Sequence, residues 1–368
     1  MKERKSNIEL LRIFSIFLII IFHYVFKSDY TYTSLDLNTY IIKVIYFAGE
    51  LGCNIFILIT GYFYSKNKVT SNKIIKLLLE IYFYYIIGIF IGSKLHLFDN
   101  LSLRDTLKLY FPITITTRYW FITAYLLLYL LSNYLNIIID NINKDTFKRL
   151  LLMVTVIWSI IPTIVGVLYD GSEKGFFFNR FIWVVILYFI GAYINKYGFK
   201  FIDTTKKNIL CVLITFIIMI LSINFIYSNI SFYNSIGTYE IAYLWTPNNI
   251  FMLIFSISIF NLFLKINIKS NLINIISSTC LGIYLIHDGP LDTYIWDVLF
   301  NSKYYLESNY PLLHILISSL LIFIVGLTID LLRQELESIT IDKILSSKRY
   351  LKIKNNITKL FNKLINTI

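Results

Sequence analysis

The stretch from Ile8 to Phe26, IELLRIFSIFLIIIFHYVF, is apolar along its whole length apart from Glu9, Arg12, Ser15 and His23. Wound as a helix rising about 1.5 Å per residue, it is long enough to cross a hydrocarbon core roughly 30 Å thick. A basic segment, Met1 to Lys5, precedes it and gives the look of a signal peptide. No small-x-small cleavage pattern follows, however, and the run itself contains Arg12 and His23, so we read a retained first membrane helix.

Runs of the same kind recur down the chain. Ten helices are predicted, at residues 8–26, 41–64, 74–93, 119–138, 148–168, 178–195, 208–227, 246–264, 274–299 and 311–332. Composition agrees: 57% hydrophobic, 17% aromatic and only 15% charged residues over 368, with a mean hydropathy of +0.67. A soluble domain carries about 25% charged residues. The expected fold class is therefore all-α, a polytopic membrane helix bundle of about ten transmembrane helices whose core lies inside the bilayer.

The net charge of +12 does not indicate nucleic acid, because the basic residues lie in short segments between apolar runs. Alternate segments and the two ends carry 24 of the 34 Lys and Arg, against nine on the opposite side, with Arg12 left out. That bias places both termini in the cytoplasm, and an even helix count follows. Cys53, Cys211 and Cys280 are scattered within apolar runs, so neither a disulfide framework nor a metal site is expected. No inverted repeat or broken helix pair of the transporter kind is visible. The segment Leu101 to Thr117 is too short to span and is expected to lie on the outer surface or dip partway in. Residues 1–333 form the expected transmembrane domain and 334–368 a basic amphipathic cytoplasmic tail. In the tail, Ile357, Leu360, Phe361, Leu364, Ile365 and Ile368 recur at helical spacing for an interfacial helix on the inner leaflet.

Ionisable residues inside a spanning helix are costly and usually face a bundle interior or a polar path. His23 lies eleven steps along the chain from Arg12. At about 100° per residue they return to one stripe after three turns, about 16 Å apart along the axis. Each has an ordinary reading by itself, Arg12 as a snorkelling anchor and His23 as an interfacial histidine. Their alignment, with Glu9 one turn from Arg12 to neutralise it, favours a functional stripe. An imidazole, titrating at about pH 6.5 when unperturbed, suits base catalysis near neutrality.

Asn7-Ile-Glu-Leu-Leu-Arg12, followed by an apolar stretch and Phe22-His23, resembles the opening helix of the acyltransferase 3 family of membrane O-acyltransferases, whose signature is an Arg and a His separated by ten residues. Three further segments are similar to that family. Gly52 to Tyr62 ends in Thr60-Gly61-Tyr62, with Thr60 in place of the usual Ser. Tyr119-Trp120-Phe121 resembles its Trp-Phe helix, and Leu281-Gly-Ile-Tyr284-Leu-Ile-His287 its motif near the penultimate helix.

The resemblance implies transfer of an acyl group, usually acetyl, from cytoplasmic acyl-coenzyme A to a hydroxyl of a bacterial cell-surface polysaccharide (capsule or exopolysaccharide) or its lipid-linked repeat, in the plasma membrane. Acyl-coenzyme A is a co-substrate, and no permanently bound cofactor is expected. His23 would be the general base, Arg12 with Glu9 the coenzyme A end of the catalytic stripe. Lys73 and Lys76 fall where the family often has Arg-x-x-Arg, as cofactor-binding candidates beside Arg12; the positive-inside bias explains them equally well. Tyr119, Trp120, Tyr284 and His287 are candidates for holding substrate or a tetrahedral oxyanion. Glu50 would orient His23 or pair with Lys43. Asp330 and Arg333 are expected to form a local ion pair, and His96 and His314 to lie at the outer interface. The short basic end leaves no room for an extracytoplasmic esterase domain, so the chain acylates directly or works with a separate partner, and a homo-oligomer stays open. The alternative is a polysaccharide flippase, transporter or polymerase without acyl-CoA chemistry.

Overall fold

The computed structural model describes residues 4–28, 37–66, 69–99, 101–102, 105, 119–166, 179–199, 202–229, 246–348, 350, 352 and 356. The segment 106–118 and the amphipathic end of the tail, 357–368, lie outside the described residues. The described chain is all helical, with no strand among the described residues.

In chain order the helices are α1 (Ser6–Phe26), α2 (Leu37–Tyr64), α3 (Ser71–Lys94), α4 (Trp120–Asn141), α5 (Lys144–Thr155), α6 (Ile161–Gly166), α7 (Arg180–Tyr197) and α8 (Thr205–Ser228). They continue as α9 (Ile250–Leu264), α10 (Asn271–Ser278), α11 (Cys280–His287), α12 (Ser302–Leu306), α13 (Pro311–Ile339) and α14 (Ile341–Ser346). Local chemistry sets several starts. Asn143, Asn179, Asn249 and Ser270 each turn a side-chain oxygen back onto the first-turn N–H groups of α5, α7, α9 and α10, and Pro311 opens α13, where its missing N–H costs nothing.

Among the described residues, seven stretches are long and apolar enough to cross a bilayer: α1, α2, α3, α4, the run Lys144–Ile164, α8, and the run Pro311–Ser346. Their outward faces carry residues such as Ile86, Phe90, Leu213, Leu320 and Leu332 in the open. Such a band would drive aggregation in water, and it is what a helix shows to lipid. The chain is a multi-pass membrane protein.

Two runs read as single helices are interrupted. Within 148–168 the wall widens into a π turn at Val156–Ile160. Pro162 has no N–H to give the Trp158 carbonyl, four residues back, and Asn248 Nδ2 donates to it at 2.8 Å instead. Residues 274–299 are not one helix either. The run divides into α10 and α11, ends at Asp288, and resumes only as a π turn at Tyr294–Leu299. Gly289 and Pro290 explain the stop, since Pro290 lacks an N–H for the ladder.

The bundle is built around α1, which packs against α2, α9, α10, α11, α12 and α13. Ile8, Leu11, Ile16, Ile20, Tyr24 and Val25 on it are fully enclosed. Beside it α2 crosses α7 closely: a Cβ at Gly61 would overlap the Tyr188 carbonyl, and one at Gly191 the Leu58 carbonyl.

Candidate active site

The α1 stripe is continuous, and α11 runs alongside it. At the level of His23, α11 supplies His287, whose Nε2 lies 3.0 Å from His23 Nδ1. The other ring nitrogen of His287, Nδ1, is 2.6 Å from the Ile283 carbonyl oxygen one turn earlier. Trp296 Nε1, from the π turn, donates to the His287 carbonyl at 3.2 Å. Both histidines are buried, His287 completely.

The break after α11 adds charge to this level. Asp288 Oδ2 accepts from the Tyr284 hydroxyl at 2.7 Å. Its Oδ1 lies 3.0 Å from Lys27 Nζ and 3.9 Å from His23 Nε2. Lys27, one turn beyond His23 on α1, also reaches Asp292 Oδ2 at 2.7 Å. The charges acting on His23 are those of Asp288, Lys27 and Asp292. Asp292 follows Asp288 by four residues across the stop at Gly289-Pro290, and both carboxylates meet the one ammonium. Gly289 is required there: a Cβ would come within 2.5 Å of the Leu285 carbonyl and 3.0 Å of the Tyr119 hydroxyl.

At the other end of the stripe Arg12 is ion-paired with Glu9. Glu9 also accepts from the Ser277 hydroxyl at 2.7 Å, and so anchors α1 to α10. The Arg12 guanidinium stands 6.0 Å from the Phe56 ring centre, with Cys280, Tyr125 and Tyr64 as electrostatic neighbours. Its side chain keeps 24% of its surface open, against 7% for Glu9. Lys73 Nζ lies over the Tyr64 ring at 5.2 Å, and the Tyr129 hydroxyl donates to that of Tyr64. A tyrosine-lined wall thus joins Lys73 to Arg12.

The remaining candidates divide between site and scaffold. Tyr284 sits in the site, with its ring centre 6.2 Å from that of His23 and 5.7 Å from that of Phe121. Tyr119 is buried and stacks edgewise on Tyr85 at 5.7 Å. Trp120 carries the Arg180 guanidinium 4.3 Å over its ring. Glu50 lies beside Cys53, and the ring partner of His23 is His287. Lys76 is taken up by Glu337 at 3.1 Å and by Asp342. The Asp330–Arg333 pair forms as read, at 2.6 Å, and belongs to a larger knot in which Arg333 also holds Glu80 and Glu337 and Tyr84 donates to Asp330. His314 accepts or donates at Nδ1 with the Tyr24 hydroxyl, 2.5 Å away, and His96 pairs with Asp99 at the surface. Among the described residues no cluster of His, Cys, Asp or Glu has the geometry of a metal site.

A family model described as an acyltransferase domain, Acyl_transf_3, matches residues 5–331. The chain belongs to the acyltransferase 3 family. The matched stretch includes both ends of the α1 stripe, α11 and Asp330. No curated protein and no solved structure matches this acyltransferase. Lys27, Asp288, Asp292 and Glu80 are the polar residues of the acyltransferase that sequence reasoning missed. Two signals were available: the Asp-Gly-Pro step directly after His287, and the four-residue spacing of Glu80 and Tyr84 within an apolar run.

Proposed function

We propose that this membrane acyltransferase moves an acetyl group from acyl-coenzyme A, held at the Arg12 end, to a hydroxyl of a cell-surface polysaccharide or its lipid-linked repeat presented at the His23 end. The observation that carries this reading is the pairing of Arg12 and His23 on one face of α1, with Cys280 and His287 of α11 beside them at the two levels. The positive-inside bias puts Arg12 toward the cytoplasm of a bacterium, with ten crossings and both termini inside.

In the reaction His23 Nε2 takes the proton of the acceptor hydroxyl as its oxygen attacks the thioester carbonyl carbon. The C–O bond forms, the C–S bond breaks, and the coenzyme A thiolate receives the proton from His23. Tyr119, in a buried site where donors are worth more than in water, supports the tetrahedral oxyanion in this reading, while the Tyr284 hydroxyl stays committed to Asp288. Arg12 and Lys73 offer positive charge to the coenzyme, Arg12 through a planar fork that suits phosphate.

The test is proton NMR of the surface polysaccharide from cells with the wild-type protein, with His23→Ala, and with the gene deleted. O-acetyl signals seen only with wild type support the reading. Equal O-acetylation in all three refutes it, and loss of the polymer itself points to a flippase or polymerase.

A further inference from the structure

We propose that His287 is a positioning residue that fixes the tautomer of His23, holding the Nε2 lone pair of that ring toward the acceptor hydroxyl. The inference rests on His23 being the base, and its argument uses only what each neighbour can donate or accept.

A carbonyl oxygen accepts and never donates, so the 2.6 Å contact from His287 Nδ1 to the Ile283 carbonyl puts a proton on Nδ1. Near the end of a helix such carbonyls have capacity to spare. His287 is fully buried, and its two ring nitrogens meet the Ile283 carbonyl and His23 Nδ1 rather than a carboxylate. A charge on that ring would be buried without an ion partner, which is costly, so the ring is neutral and its Nε2 is an acceptor. The group 3.0 Å from that Nε2 is His23 Nδ1, which must therefore be the donor. Neutral His23 then carries no proton on Nε2.

The far side of the ring gives an independent check. His23 Nε2 lies 3.9 Å from Asp288 Oδ1, beyond hydrogen-bond range. An N–H at Nε2 would draw a carboxylate this close to about 2.8 Å. Two acceptors separated by a gap are what the proposed tautomer predicts, and the gap suits a hydroxyl that donates to Nε2. Once the proton is taken, Nδ1 still donates to His287, which needs no change of state. Lys27, Asp288 and Asp292 together carry one negative charge, which the protonated His23 cancels. Trp296 stands edge-on to the His287 ring at 6.1 Å and holds its backbone carbonyl, so the ring stays in register.

The tautomer can be read without turnover. The chain has four histidines, so nitrogen NMR of [15N]histidine-labelled protein, assigned with His96→Gln and His314→Gln, resolves each ring. His23 is expected with Nδ1 protonated and Nε2 bare in wild type. In His287→Leu a proton should appear on His23 Nε2, and kcat should fall about 100-fold or more with KM for acetyl-coenzyme A unchanged. His287→Gln, whose side-chain carbonyl can accept from His23 Nδ1, should restore the wild-type tautomer and much of the rate. A proton on His23 Nε2 in wild type, or a tautomer unmoved by His287→Leu, overturns the proposal. Full transfer by His23→Gln with the tautomer as stated refutes the base assignment and leaves the hold of His287 on His23 standing.

Discussion

Glu9 is enclosed and Arg12 is partly open, and this difference sets how each responds to substitution. Arg12→Ala removes the charge offered to coenzyme A and also strands a buried carboxylate, at a cost of about 3 kcal/mol. The double change Glu9→Gln with Arg12→Gln removes both charges together. It should fold with a near-normal apparent melting temperature and, on the proposed function, show none of the stabilisation by acetyl-coenzyme A expected of the wild type. Retained stabilisation would take Arg12 out of the donor site. His23→Gln keeps the volume of the ring and removes the base, so transfer should fall about 10²- to 10⁴-fold in an assay on purified protein that still binds coenzyme A. Arg12 and His23 were legible in the sequence because their return to one stripe, with Glu9 a turn from Arg12, weighs against the ordinary reading each has alone. Lys27 was not, because it sits at a helix end where lysine reads as topology. Its partners Asp288 and Asp292 are more than 250 positions away, and no local pattern connects them.

Helices that cross closely depend on residues without side chains. Gly61 and Gly191 let α2 and α7 approach until backbone meets backbone, the small-residue packing that membrane bundles favour. Gly61→Ala should lower the apparent melting temperature by several degrees, in keeping with about 1–3 kcal/mol for overpacking. Gly198, at φ +64 with open space around its Cβ position, should tolerate alanine with a loss of about 1 kcal/mol from backbone strain alone. Equal effects at both positions would remove the close crossing as the cause. The sequence located α2 and α7 within a few residues, because length and hydropathy alone identify an apolar run. It did not show the break after His287, since Asp-Gly-Pro between apolar runs reads equally as a kink within one helix. At that break Asp288 and Asp292 both meet one lysine.

At the scale of the whole molecule, the knot of Arg333, Asp330, Glu80, Glu337, Tyr84 and Lys76 fastens α3 to α13 and α14. Removing its centre by Arg333→Ala leaves Asp330 and Glu80 without their cation and Glu337 with Lys76 alone, and a loss of about 3–5 kcal/mol is expected. The variant should appear mainly as misfolded or degraded protein in membranes; normal abundance and melting would show that the knot is dispensable. Orientation is checked with single cysteines in a cysteine-free background: residue 66 should be labelled from the cytoplasmic side and residue 97 from outside. The stripe of α1 has a consequence of its own. The helix is packed on many sides by α2, α9, α10, α11, α12 and α13, so on the proposed function the reaction point is fixed and both substrates travel to it. Coenzyme and sugar would then each remain in their own compartment, and the cargo that changes sides would be a fragment of a few atoms, driven by the thioester that carries it. Such a protein needs no pump and no gradient; it is a wall permeable to a single chemical group.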